Sequence, residues 1–310
     1  MPTSLTKKGL IAASDKVIVA ARPALEIISQ FTTDFSDEAV KPGTGVAVDV
    51  LAASAENFAK GTANYKHATN TIKNFLVATD FRKKSTFSLD DIDCIEDETA
   101  HCWDKFGPTS GRAVSTDLIK SVTGKLTRTA RTGAFTLAGT TLANFFAARA
   151  YMEKTADIDP ATCVVLLEPD TYTALCSVLN AGVVGDGSVV RGGIIGAALG
   201  FKAIYSAPTI TTDGAAASDG KGKGFIIPDN ALAIVNRVVK PLKGPVGDLI
   251  EYGTFTDEIS KATFSTRVVV DAGDGECYWT TEGLFGSKLT KTDAEGNATG
   301  APGYYQIVVS

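Results

Sequence analysis

The sequence predicts a mixed α+β fold, on three observations. The run Thr162-Cys163-Val164-Val165-Leu166-Leu167 is apolar almost throughout and bounded by Glu168-Pro169-Asp170, as a strand covered on both faces would be. Two stretches before it place apolar residues at helical spacing. The chain after it alternates short strand-like runs with Gly- and Asp-rich turns, and no repeat at a solenoid or propeller period organises the whole. Helices and strands are thus both present without strict alternation.

A chain of 310 residues, 44% hydrophobic and 21% charged, has room for one large unit or two modest domains and should fold. Its net charge of −5 argues against a protein that wraps nucleic acid tightly, so any DNA contact is expected to be local or weak. No apolar run approaches the roughly 18 residues that span a bilayer, and the start MPTSLTKKGL does not read as a signal peptide, so no membrane partner and synthesis in the cytoplasm are expected. The five cysteines, Cys94, Cys102, Cys163, Cys176 and Cys277, are odd in number and form no CxxC, which predicts buried reduced thiols rather than a disulfide framework.

Taken in order, the first forty residues alternate apolar stretches, Val17-Ile18-Val19-Ala20 and Leu25-Glu26-Ile27-Ile28, with Pro23 and polar breaks. That pattern is too interrupted for one long amphipathic helix and reads as an arm, whose residues would reach on the order of 100 Å if extended. After the turn Lys41-Pro42-Gly43-Thr44-Gly45, the run Val46 to Leu51 and the strand-rich stretch Thr71 to Ser88 are expected to pair as a hairpin. Arg82, Lys83 and Lys84 are consecutive cations, and Asp90 to Glu98 holds six carboxylates in nine residues, a complementarity that suits subunit contacts but also two solvated faces.

Residues 113–132 place Val114, Leu118, Val122 and Leu126 four apart with Lys120, Lys125, Arg128 and Arg131 largely off the stripe, which predicts an amphipathic helix with a basic side. A second helix, Leu142 to Thr155, should bury combinations of Leu142, Phe145, Phe146 and Tyr151 and end before Asp159-Pro160. The strand 162–167 should be central. Asp170 or Thr171 can cap the following helix, which lines one face with Tyr172, Leu175, Cys176 and Leu179 and stops at Asn180-Ala181-Gly182. A Gly-rich loop to Gly200, a short strand Lys202 to Ser206, a surface loop Thr211 to Lys223, and strands 225–228 and 231–239 follow. Segments 262–271 and 276–281 flank Ala272-Gly273-Asp274-Gly275 as a hairpin.

Residue chemistry for catalysis is sparse. His67 and His101 are the two histidines, and neither they nor Cys94 and Cys102 have the spacing of a four-ligand zinc site. G-x-S-x-G and G-x-x-x-x-G-K-[ST] are absent, and the glycine runs 182–187 and 193–200 do not match G-x-G-x-x-G after a strand. The acidic stretch 90–98 lacks the glycine and terminal Glu of a calcium loop, and Asn297-Ala298-Thr299 is a glycosylation sequon with relevance to a secretory compartment alone. No catalytic residue, metal site or cofactor is expected.

The pattern Leu166-Leu167-Glu168-Pro169, Tyr172, Leu175, Gly193, Gly196 and Gly200-Phe201-Lys202-Ala203-Ile204-Tyr205-Ser206-Ala207-Pro208 resembles the core of the Hong Kong 97-type major capsid fold of tailed bacteriophages, some archaeal viruses and encapsulins. Asn230-Ala231-Leu232-Ala233 and Phe264 to Asp271 look similar to its closing strands. The resemblance implies an N-terminal arm at 1–50, an extended hairpin loop with its flanks at 51–105, and a peripheral domain at 106–206 containing a long spine helix at 113–132. It further implies an axial domain at 207–260, and closing strands with a C-terminal tail at 261–310.

By the same resemblance the chain is a structural major capsid protein, not an enzyme, that assembles into pentamers and hexamers of an icosahedral shell around double-stranded DNA. Its place would be the virion capsid, assembled in the host cytoplasm. Its partners would be its own copies, scaffolding, portal and decoration proteins, and packaged DNA by weak contact. An encapsulin-like nanocompartment shell shares the fold and is the alternative; an enzyme or a tail component would be a different class. The expected inter-subunit contacts are Ile18, Leu25 and Ile27 in the arm and Phe75, Phe81 and Phe87 in the hairpin. Lys120, Lys125, Arg128 and Arg131 are the candidates for genome phosphates or acidic neighbours. The tail, with Tyr304 to Val309, is expected to add a strand to a neighbour.

Overall fold

The computed structural model describes residues 5–52, 71–89, 99–127, 130–182, 199–207, 221–239, 248–271, 276–291 and 302–309. In chain order these form α1 (Leu5–Ser29), β1 (Thr32–Val40), β2 (Gly45–Ala52), β3 (Thr71–Ala78), β4 (Phe81–Leu89), α2 (Thr99–Thr123), β5 (Gly133–Leu137), α3 (Leu142–Lys154), β6 (Cys163–Leu167), α4 (Pro169–Gly182), β7 (Ala203–Ser206), β8 (Lys221–Pro228), β9 (Leu232–Val239), β10 (Asp248–Thr256), β11 (Thr263–Asp271), β12 (Glu276–Leu289) and β13 (Tyr305–Val309). They fall into two compact units. The first comprises residues 1–45, 78–124 and 234–287, the second 46–77, 125–233 and 288–310, so the stretch 207–260 supplies strands to both.

The first unit begins with a correction. Residues 5–29, expected as an extended arm, form a 25-residue helix. Val17, Ala21, Ala24, Leu25 and Ile28 recur at helical spacing and are buried, and two of them are alanines that a search for large apolar runs passes over. Pro23 sits inside the helix and removes one rung, the bond to the carbonyl of Val19. Val19 is 57% exposed, so the gap lies on the open side.

The partner of α1 is α2, whose buried Ser110, Gly111, Val114, Leu118 and Val122 form the matching stripe. The helices touch closely at Gly111, where a Cβ would stand 2.3 Å from the Val17 carbonyl oxygen and 2.9 Å from the Ala20 Cβ. Gly111→Ala is therefore expected to destabilise the protein by about 1–3 kcal/mol in urea unfolding, because backbone rather than a flexible side chain must move. The expected spine helix 113–132 is displaced: α2 starts at Thr99 and stops at Thr123. The Gly124 N–H bonds the Lys120 carbonyl at 2.8 Å, and the Thr123 hydroxyl turns back to the Ile119 carbonyl at 2.8 Å, closing the last turn.

The sheet of this unit runs β1-β9-β12-β11-β10, with β4 also paired to β12. The expected hairpin around 272–275 appears as an antiparallel ladder from Ser265 opposite Glu282 to Asp271 opposite Glu276, its connecting residues lying outside the described ones. β12 continues to Leu289, well past the expected end at 281. Its length lets it serve β11 and β4 with one half while the other half adjoins β9. Asn236, fully buried on β9, fills the junction by donating to the carbonyls of Thr263 at 3.1 Å and Leu284 at 3.3 Å and accepting the Thr263 N–H at 2.6 Å. Asp257 closes the turn after β10 by accepting the N–H and hydroxyl of Ser260, both at 2.8 Å, and the Arg22 guanidinium at 3.0 Å. Burial alone would raise that carboxyl, but these hydrogen bonds and the Arg22 charge together hold it below its ordinary value.

The second unit is built on the sheet β5-β13-β8-β6-β7. β6 and β7 are parallel and joined through α4, while β8 runs antiparallel to β6. Every residue of β6 is buried, as expected, but it is an interior strand beside β8, which holds the middle. Phe145, Ala148 and Met152 of α3 and Leu175 and Leu179 of α4 cover one side, packed on Cys163, Val165, Leu167, Ile204, Ile226 and Ile307. Thr141 caps α3, which buries Phe145 and exposes Phe146 (47%), the two being adjacent and pointing to different sides of the helix. Pro169 opens α4, so Asp170 lies in its first turn rather than at the cap.

The loop expected to reach Lys223 ends earlier, since Lys221–Pro228 is already strand. Gly224 is required there: a Cβ would stand 2.4 Å from the Leu166 carbonyl oxygen across the ladder. The C-terminal segment is a further correction. β13 does not await a neighbour; it lies between β5, to which it is parallel, and β8, to which it is antiparallel. Burial raises the Cys163 thiol to about 12, helped by the charges of Asp229 and Asp159. Native protein is expected to leave Cys163 unlabelled by iodoacetamide at pH 8 and to label it in urea, as read by peptide mass spectrometry.

β2 and β3 pair with each other as a two-stranded sheet, as the sequence suggested for Val46–Leu51. The strand-rich stretch 71–88 divides at Thr79-Asp80, and its second half leaves as β4 for the sheet of the first unit.

Candidate assembly surfaces

The residues expected to touch neighbouring subunits are mostly committed within the chain. Ile18 (7%), Leu25 (0%) and Ile27 (8%) belong to the buried stripe of α1, and Phe75 (2%) is buried on β3. Within the chain these four belong to its own core. Phe81 and Phe87 are half-buried on β4, and Phe87 stacks with Trp279 at a centroid distance of 6.4 Å.

Of the four cations expected on one helix face, the three described ones do not share a helix. Lys120 is exposed in the last turn of α2, Lys125 is exposed beyond the helix end, and Arg131 is half-buried and donates to the Gln306 side chain on β13. Arg128 lies outside the described residues, as do His67 and the acidic stretch 90–98. The stripe that suggested a helix to 132 included Leu126, which is buried but past the helical end.

Two surfaces stand out instead. On the β2–β3 ribbon Val48 (4%), Phe75 (2%) and Val77 (0%) are buried while Leu76 is 61% exposed, so side chains alternate between a covered and an open side. The ribbon belongs to neither of the larger sheets.

The other surface is on the sheet of the first unit, where β4, β12, β11 and β10 lie side by side. Strand parity sets its two faces. Phe81, Lys83, Ser85 and Phe87 point one way, toward α2, where Ser85 bonds Ser110 at 3.0 Å and Lys83 pairs with Asp117 at 2.8 Å. Arg82 and Lys84 point the other way, on the face that also carries Glu282, Arg267 and Tyr252 by the register of the ladders. The Glu282 side chain is 0% exposed and accepts two bonds from Arg82, at 2.8 and 2.7 Å, and one from Arg267. Burial, with the Arg82 charge alongside, lowers the Arg267 guanidinium, and Tyr252 opposes the shift. The Arg267 Nε is buried without a hydrogen-bond partner.

Sequence reasoning missed this cluster except for the triplet 82–84. Glu282 stands alone in Thr280-Thr281-Glu282-Gly283, and nothing local announces that its neighbours across two ladders are arginines. A half-buried ion pair lies on β1 and β9, where Arg237 donates to the Asp34 carboxylate at 2.7 Å and to its carbonyl at 2.8 Å. Among the described residues no group of His, Cys, Asp and Glu gathers as a metal site, and no helix is long and apolar enough to cross a membrane.

No family model matches the chain, and no curated relative does either. Solved structures of virus-like particles and phages do. One from Mycobacterium phage Che8 is 16% identical over 86% of this chain and 84% of its own, with a TM-score of 0.48. The virus-like particle from Pyrococcus furiosus is 10% identical over 95% and 97%, with a TM-score of 0.49. The asymmetric unit of the bacteriophage PhiM1 mature capsid is 11% identical over 91% and 86%, with a TM-score of 0.46. At TM-scores below 0.5 these likenesses carry no weight for function, which has to come from the chain's own surfaces.

Proposed function

We propose that this chain is the repeating subunit of a closed protein shell, and specifically a phage-type major capsid protein whose pentamers and hexamers enclose double-stranded DNA. The observation that carries the reading is the β2–β3 ribbon. A two-stranded sheet is marginal by itself, and the open side of this one carries Leu76. Copies arranged in closed symmetry cover such ribbons mutually, so that many moderate contacts add up to a stable container.

The strand–Pro–helix–Gly–Phe–strand order that suggested the family from sequence is realised as β6, Pro169, α4, Gly200-Phe201 and β7, which supports the same reading. Under it the ribbon is the extended hairpin loop, α2 is the spine helix, and the two compact units stand for the peripheral and axial domains. Scaffolding, portal and decoration proteins would be further partners, the virion capsid the location and the host cytoplasm the place of assembly.

Size exclusion and negative-stain electron microscopy of the chain expressed alone test this. Closed particles or capsomer rings are expected; a stable monomer at high concentration overturns the reading. Particles filled with an enzyme rather than DNA in the native host would transfer the assignment to a nanocompartment shell. Leu76→Asp is expected to lower the assembled fraction about tenfold or more without changing the circular dichroism melt, since the residue is exposed within the subunit.

A further inference from the structure

From the face of the β4–β12–β11 sheet turned away from α2, we infer a docking site for the acidic stretch Asp90 to Glu98 of a second copy of this chain. The inference rests on the shell reading for its supply of identical copies, but its chemistry stands separately. Among the described residues Arg82, Lys84 and Arg267 share the face with one carboxylate in contact with them, Glu282, so two positive charges have no paired acid there; Asp271, of the same parity on β11, stands about 13 Å along the strand from Arg267. Glu276 is the next carboxylate on β12 with the same parity, about 20 Å along the strand. Arg82 is 43% exposed at its side chain and Lys84 is exposed, so donors face outward, and the buried Arg267 Nε is unpaired. Such a face selects carboxylates presented in a row.

The chain contains one dense run of them: six in nine residues between β4 and α2. In its own subunit the run leads from the end of β4 to α2, which lies against the opposite face of β4. A nucleic acid is the less fitting occupant, because the chain's net charge of −5 repels a polyanion, whereas the acidic run arrives with each copy at equal stoichiometry.

A fluorescein-labelled peptide of residues 88–99 carrying Cys94→Ser, titrated with the full chain, tests the site by anisotropy. Saturable binding that weakens as salt rises is expected, with affinity reduced about tenfold by Lys84→Glu and unchanged by Lys120→Glu, a cation outside the face. Absence of binding, equal affinity for Lys84→Glu with an unchanged circular dichroism melt, or tighter binding of a 20-base-pair duplex than of the peptide would each overturn the inference. Because the peptide is read without assembly, a chain that binds it yet remains monomeric counts against the shell reading alone. Shells formed by wild type and by Lys84→Glu alike count against the docking site alone.

Discussion

Removal of residues 301–310 is expected to abolish folded soluble protein rather than to spare the subunit and impair assembly. β13 is held on both edges, with Tyr305 to Val309 in register with Gly133 to Leu137 of β5 and with Lys221 to Ile226 of β8. Deleting it exposes the edges of both neighbours and removes Ile307 (0%), Val308 (3%), Tyr304 (1%) and Tyr305 (7%) from the interior. Tyr304 also donates its hydroxyl to the Thr127 carbonyl at 2.5 Å and packs edge-on against Phe225, so the loss spreads beyond the ladder. The single substitution Ile307→Ala separates packing from pairing. It should cost about 2–5 kcal/mol in urea unfolding, a large share of the roughly 5–15 kcal/mol that a domain possesses. A truncated chain with a normal melt would show that β13 is dispensable.

Glu282→Ala is the second large effect. The carboxylate is fully buried between Arg82 and Arg267, whose side chains are 43% and 23% exposed. Its removal leaves like charges facing each other with their compensation gone. A fully buried pair broken in this way costs about 3–5 kcal/mol, and the partial exposure of both arginines reduces the expectation to about 2–4 kcal/mol. Glu282→Gln keeps an acceptor but loses the charge and should fall between wild type and alanine. Urea unfolding with unchanged m-value reads both. A further double variant, Arg82→Gln with Glu282→Gln, should recover part of the loss if repulsion between the arginines is responsible, and none if packing is.

These results bear on how an assembly test should be designed. Shortening the chain to residue 30 would remove α1, whose Leu25 and Ile28 are buried and whose Val17 carbonyl touches Gly111 on α2. Lost assembly would then report lost folding. Leu76 and Lys84, exposed within the subunit, are the positions where an assembly defect can be read without that ambiguity.

Much of the second unit was legible because its signals are local. β6 reads as a buried strand from five consecutive apolar residues, α4 from Pro169 and a helical stripe, and the turn at Gly200 from a residue that takes φ +75 without strain. The mixed α+β class, the antiparallel ladder around 272–275 and the pairing of Val46–Leu51 with the stretch after Thr71 follow from the same short-range rules of spacing and turn chemistry. α1 was misread because helical burial by alanine and tolerance of Pro23 on an open side depend on what packs opposite, not on the run of large apolar residues. β5 and β10 have weak alternation and owe their state to the strands that flank them, and β13 was visible as an apolar strand without a visible partner.

By itself, then, the sequence determined where backbone conformation and side-chain period are set within a dozen residues, along with the total charge and the opposition of a basic triplet to an acidic run. Only the tertiary structure decided that β13 pairs within its own chain, that Gly111 meets Val17, and that Arg82, Arg267 and Glu282 converge. Arg82 and Glu282, 200 positions apart along the chain, are brought together by strand order and register, and no local propensity encodes which edge a strand will choose.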